Sequence, residues 1–317
     1  MSSPRDVALA VDLGGTKVEA AIVDSVGEVV AGSRFRAATG PERDSAGLAA
    51  AVDEVVSAAA ASLPSGTRLI GAGVGSAGPI EEAAGRVSPL NLPAWRGYPL
   101  RDRVASLLDG AGLGAVPVTL RMDGICIALA EHWVGAGRGY DNVMGMVVST
   151  GIGGGLILGG STVSGPTGNA GHIGHVEVAG FDDPCPCGGI GCVEAVASGP
   201  HTVAWARARG WAGTSGEELG ESYRAGDPIA AAAIERSGRA IGQAIASATS
   251  LVDLELVAIG GGFSHVTPDL FDHIRAAVAT RRQFGFVTKV RVVPSGLSGD
   301  GPLIGAAALV HRAELVG

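Results

Sequence analysis

Lysine is almost missing from this sequence: Lys17 and Lys289 are the only two, and arginine carries the rest of the positive charge. Acidic residues outnumber basic ones, 31 to 23, for a formal net charge of -8. No basic stripe exists, so the electrostatic footprint of nucleic-acid binding is missing. Aromatic residues make up only 4%, so the cores that a 46% apolar content can supply must be built from Val, Leu, Ile and Ala. No run offers the ~20 uninterrupted apolar residues of a membrane span. The opening MSSPRDVALAVDLGG has no apolar core followed by a cleavage site, so it does not read as a secretory leader. A cytoplasmic protein is expected, with reduced thiols free to bind metal. The length, 317 residues, suits two domains better than one.

Cysteine is scarce too, with four residues, but three of them stand together. Cys185, Cys187 and Cys192 are spaced C-x-C-x4-C, and His175 lies just upstream. Two cysteines one residue apart are poorly placed to bond each other, because a disulfide needs a set Cα separation and side-chain direction. Three thiolates and an imidazole suit tetrahedral zinc in a closed, structural shell. Gly188, Gly189 and Gly191 let the backbone turn tightly around an ion. The alternative is three reduced, buried thiols beside an unrelated histidine.

The run from His175 to Glu194, H-x9-C-x-C-G-x2-G-C-x-E, resembles the zinc-loop signature of the ROK family (repressors, open reading frames and sugar kinases). The resemblance implies that one ring nitrogen of His175 binds zinc beside Cys185, Cys187 and Cys192. It also implies that the other ring nitrogen, and the carboxylate of Glu194, face a sugar. A metal fixes the tautomer and aim of an imidazole, and a rigid loop offers preorganised partners to a polyol.

Residues 7–12, 18–24 and 29–35 read as three strands of a meander whose first turn is Asp12-Leu13-Gly14-Gly15-Thr16-Lys17. Gly14 and Gly15 allow a phosphate close to backbone N–H groups. Thr16 and Lys17 add a hydroxyl and a charge, and Asp12 can hold Mg²⁺ directly or through water. Read alone, D-x-G-G-T is equally an ordinary hairpin turn. The plan recurs: strand 143–149, then Thr150-Gly151-Ile152-Gly153-Gly154-Gly155, then strand 156–158. Two such hairpins facing one another would make a phosphate clamp between two domains built on similar sheets. This echo argues for a duplicated α/β fold without help from the cysteines. The resemblance names it the actin-like, ribonuclease H-like duplication. It implies phosphate motifs at 12–17 and 150–153 and an adenosine motif at Gly260-Gly261-Gly262. A triple glycine after a strand is weak evidence by itself. The expected domains are 1–120, with 300–317 returning to it, and 121–299. Helices are expected at 44–63, 99–108, 124–134, 198–209, 268–282 and 301–315, and a long one is opened by Asp227 as N-cap and Pro228 at N1.

Strand 116–120 delivers Arg121-Met122-Asp123 to a helix N-terminus. Read alone, Asp123 is a cap. The resemblance implies the catalytic base, taking the proton from a sugar 6-hydroxyl as it attacks the γ-phosphate of ATP. It also implies sugar contacts from Gly78, Asn91 and His172, although Asn91 reads equally as a turn between two prolines. Two residues depart from the family pattern. Met122 stands where an Asn would bond the hexose, and a thioether accepts weakly and donates nothing. His172 stands where Glu is common. Both departures bear on which sugar is bound. Glucose is the first expectation; N-acetylmannosamine or a 3-amino-glucose such as kanosamine is the alternative. Polyphosphate stays open beside ATP as donor. Repressors of this family place a helix-turn-helix ahead of the first phosphate motif; with Asp12 so early, none is expected. A homodimer is expected, as is common in the family.

Overall fold

The strand β1 (Arg5–Leu13) is buried on both faces from Val7 onward, as its unbroken apolar run requires of a strand inside an α/β sheet. It pairs antiparallel with β2 (Lys17–Asp24), which pairs with β3 (Phe35–Ala38). On its other side it runs parallel to β4 (Thr67–Ser76), which is parallel to β5 (Val118–Met122). In the computed structural model, which describes residues 4–297 and 299–317, this β3-β2-β1-β4-β5 sheet is the centre of the first of two compact units. That unit comprises Met1–Arg138, Ser161–Gly171 and Gly299–Gly317. It also holds α1 (Ser45–Ala61), α2 (Leu100–Gly110) and α3 (Asp123–Trp133). Asp44 caps α1, accepting from Gly47 N at 2.7 Å. The closing helix, Gly301–His311, lies against α3 so closely that a Cβ on Gly305 would sit 1.8 Å from Cys126 O.

One expectation is corrected here. The third strand is Phe35–Ala38, not 29–35. Gly32 turns the chain at φ +76°, and Ser33 Oγ accepts from Ile22 N at 3.0 Å where a ladder carbonyl would otherwise accept. The first unit extends to Arg138, and α3 packs on the closing helix and on β4.

The second unit, Gly139–Gly160 and His172–Ser298, repeats the strand plan. β6 (Val143–Val148) and β7 (Ile152–Leu158) form the antiparallel hairpin, and β8 (Leu256–Gly260) and β9 (Arg291–Pro294) follow in parallel beyond β6. The internal echo in the sequence is therefore an echo in topology. Around the sheet lie α4 (Val193–Ala197), α5 (Gly199–Arg207), α6 (Gly216–Arg224), α7 (Pro228–Val252) and α8 (Asp269–Ala279). Asp227 caps α7 through bonds from Ile229 N and Ala230 N at 2.8 and 2.9 Å. Ile234, Ile241 and Ile245 bury one face of that helix. The short α6 is not announced by apolar spacing, since Leu219 is its only fully buried large side chain. Among the described residues no helix is long and apolar enough to cross a membrane.

Candidate active site

The first glycine turn joins β1 to β2. Gly14 N donates to Lys17 O at 2.9 Å, and Thr39 ties the turn down with bonds to Gly14 O and Thr16 O. A Cβ on Gly15 would meet Asn91 Nδ2 at 2.0 Å, so Asn91 lies over this loop. Thr16 is exposed. Asp12 is buried one residue before the end of β1, directly across from Glu19 in register. Glu19 is the residue that sequence reasoning missed. It is buried, and Lys17, Arg34 (3.0 Å) and Arg36 (2.9 Å) all pair with it. Burial works to raise its carboxyl, and hydrogen bonds from Arg34, Lys17 and Arg36 more than reverse this, holding it at about 2. The only available signal was a lone acid inside an apolar strand.

Asp123 is the first residue of α3, and its Oδ1 accepts from Gly124 N at 2.7 Å. Met122 occupies the N-cap position, and Asp123, one residue further in, makes no bond to the second or third amide as a cap would. Burial pushes its carboxyl up to about 6, with the Gly124 bond opposing. Asp12 is pushed higher, to about 7, by burial first and then by the charges of Asp123 and Glu19. Cys126 lies by the same pair, and burial and both carboxylates push its thiol well up, so it is an unreactive filler. Met122 is buried, so its thioether sits in the core.

The Asp12 shift makes a stability prediction. A carboxylate whose folded pKa lies above its ordinary value destabilises the fold increasingly as pH rises from about 4 to 7, and fully above that. Holding this carboxyl at about 7 rather than near its ordinary value corresponds to a cost on the order of 4 kcal/mol. Asp12→Asn should therefore raise the unfolding free energy by about 2–4 kcal/mol at pH 8. The gain should shrink toward zero at pH 4, as read by urea denaturation across that range.

In the second unit the β6–β7 turn is closed by Ser149 N donating to Gly151 O at 2.9 Å. Thr150 is exposed, and Gly153 already belongs to β7, opposite Val147. Gly260 ends β8. Gly261 sits at φ +95° with its Cβ position 2.6 Å from Val148 O, so a side chain is excluded twice over. Thr150 and Gly262 line a cavity of about 780 Å³ with Ser149, Val203, Arg207 and Phe263. Gly153 and Gly260 do not line it.

The four residues of the cysteine motif converge. The ligand atoms of His175, Cys185, Cys187 and Cys192 all lie within 4.8 Å of one another. Cys185 Sγ is 3.7 Å from His175 Nδ1, and Cys187 Sγ is 3.6 Å from Cys192 Sγ. Tetrahedral zinc with bonds of ~2.3 Å to sulfur would set neighbouring sulfurs ~3.8 Å apart, so the donor set fits the ion. With Nδ1 among the thiols, His175 Nε2 is left for another partner. His172 lies beside it, ring centroids 5.9 Å apart. Glu194, on α4, accepts at Oε2 from Ile152 N at 2.8 Å. Arg236 braces the motif from behind. It pairs with Asp183, donates to Val196 O at 2.7 Å, and lies near the rings of Phe181 and Trp205. Of the expected sugar contacts, Gly78, Asn91 and Asp123 belong to the first unit, and His172, His175 and Glu194 to the second.

The sequence model of the ROK family matches residues 8–313. A glucokinase of Thermotoga maritima is 29% identical, over 98% of each chain. An N-acetylmannosamine kinase of Yersinia pseudotuberculosis is 35% identical, over 97% of this chain and 99% of the relative. The crystal structure of a ROK glucokinase from Streptomyces griseus, in complex with glucose and AMPPNP, matches with a TM-score of 0.80 at 31% identity, over 96% and 99% of the two chains. The fold is thus the actin-like ATPase fold of such kinases. Clustered thiols, twin glycine hairpins and a family match over nearly the whole length agree: this chain belongs to the ROK family.

Proposed function

We propose that the protein is an ATP-dependent sugar kinase that transfers the γ-phosphoryl group to the 6-hydroxyl of glucose or a glucose-like hexose. The observation that carries this reading is the placement of Asp123, directly after β5 at the first position of α3 with its Oδ1 held by Gly124 N, where burial raises its carboxyl to about 6. Such a group is ionised at neutral pH yet more basic than an ordinary carboxylate, as a general base for a hydroxyl should be. It accepts the 6-hydroxyl proton as that oxygen bonds to phosphorus and the bond to the ADP oxygen breaks.

The donor is assigned to Asp12, Gly14, Gly15, Thr16 and Lys17 in the first unit and to Thr150, Gly151, Gly153 and Gly260–Gly262 in the second. Asp12 would hold Mg²⁺, which when bound neutralises phosphate charge. Zinc at His175, Cys185, Cys187 and Cys192 has a structural role: four protein ligands leave no open position for chemistry. The sugar is assigned to Gly78, Asn91, His172, His175 and Glu194. The named activities of the Thermotoga and Streptomyces relatives support the hexose.

A second reading, an amino-sugar kinase, is favoured by His172 and Met122 and by the likeness to N-acetylmannosamine kinase. An ADP-release assay on glucose, mannose, fructose, N-acetylmannosamine and kanosamine decides between them, with polyphosphate tried in place of ATP. The expected result is the highest kcat/KM on glucose. An amino sugar preferred by tenfold or more establishes the second reading, and no sugar-dependent release on any of the five overturns both.

A further inference from the structure

Ile152 is gripped from two directions. Its N–H donates to Glu194 Oε2 at 2.8 Å. Its carbonyl oxygen faces Gly174, where a Cβ would stand only 2.0 Å from it and 3.5 Å from Glu194 Cβ. Gly174 lies in the 3₁₀ turn Ile173–His175, the segment that carries His175 and follows His172. The next residue back, Gly151, has its Cβ position 2.6 Å from the same Glu194 oxygen. Three pieces of the second unit therefore meet on one backbone residue: the histidine turn, the glutamate helix and the Thr150–Gly151 loop. The contacts around them are equally short-range. Val193 N donates to Val176 O at 3.0 Å, and Gly199 N donates to Ser149 O at 2.9 Å.

We infer that Glu194 is a coupling residue, which links hexose occupancy to the setting of the Thr150–Gly151 phosphate loop through its bond to Ile152 N–H. The inference rests on the sugar-kinase reading above. A carboxylate has two oxygens. Oε2 is taken by Ile152, whereas Oε1 makes no hydrogen bond among the described residues. A sugar hydroxyl donating to Oε1 fixes the plane of the carboxylate, and that plane fixes Oε2. The Ile152 amide is then held where the loop before it is ordered. A loop already ordered costs the donor less to bind, which makes the coupling positive. By linkage the donor must favour the sugar by the same factor.

A residue that merely held the sugar would behave differently. Its loss would weaken glucose binding equally with and without donor. The measurement is the glucose dissociation constant in the absence and presence of saturating AMPPNP with Mg²⁺, by titration calorimetry. In the wild type the ratio should be at least about fivefold, at the low end of ordinary coupling. Glu194→Ala should bring it within twofold of one. Gly151→Ala should do the same from the other side, because its new methyl displaces Oε2 from Ile152 while Glu194 stays present. Glu194→Gln keeps an oxygen for the Ile152 amide, and so should keep most of the ratio while glucose affinity falls. Zinc content and melting temperature report whether each variant is folded, and Gly151→Ala serves as the test if Glu194→Ala is not. A wild-type ratio of one, or a ratio that both alanine variants leave unchanged, overturns the coupling. Wild-type turnover on glucose with an unmoved ratio overturns the coupling alone; absent glucose binding and turnover on every sugar take down the kinase reading with it.

Discussion

Asp123→Asn should lower kcat by about 10²–10⁴-fold, the usual contribution of a positioned general base. Asparagine keeps the shape and can still accept from Gly124 N, so the helix start survives the change. Dissociation constants for glucose and AMPPNP should stay within about threefold of the wild type, because the lost interaction belongs to the transition state. The pH profile separates this role from a structural one. A base must be ionised to act, so wild-type kcat/KM should climb with pH and level off above the carboxylate's pKa of about 6. Because Asp12 is raised partly by the charge of Asp123, the acid limb belongs to the pair rather than to either residue. In Asp123→Asn the residual activity should lose this limb. Unchanged turnover would remove Asp123 from the role.

Loss of the metal should be the next largest effect. The purified protein should carry one zinc per chain, and Cys192→Ser should lose it. Cys192 is fully buried and precedes α4, so removing its thiolate releases both the 185–192 loop and the helix that carries Glu194. A cost of at least about 3 kcal/mol is expected, because loss of a metal is among the large destabilising events. In a unit of this size that lowers the melting temperature by roughly 6–12 °C. Half-saturation for glucose should rise at least about tenfold, as is usual when the support of a ligand shell is removed. The AMPPNP dissociation constant should move much less. Metal analysis and a thermal melt check the first part, and initial rates the second. A zinc-free wild type with full activity would sink the structural-metal assignment.

What could be read from the sequence was local. The Asp227–Pro228 helix start, the cysteine motif and both glycine hairpins are each contained within a short span, and the chemistry of the residues specifies the geometry. What could not be read was partner choice across strands and helices. Glu19, already beside Lys17 on β2, gains Arg34 and Arg36 only once β2 and β3 lie side by side. Arg236, on α7, finds Asp183 and Val196 at a sequence separation no spacing rule anticipates. The resemblance pointed Glu194 at sugar, and the structure adds a backbone partner in a hairpin far away in sequence. The third strand was misplaced because Ser33 supplies a hydrogen bond that strand propensity does not count. Met122 and His172 are legible as departures from a pattern.

The near-absence of lysine has a practical side. One of the two primary side-chain amines, Lys17, is ion-paired to Glu19 at the end of the first glycine loop, and the other, Lys289, is exposed in a turn ahead of β9. Acylating reagents therefore meet two chemically unlike lysine targets on this chain, and peptide mapping can score them independently. Protection of Lys17 relative to Lys289 would track occupancy of the loop, with the exposed amine serving as the internal reference.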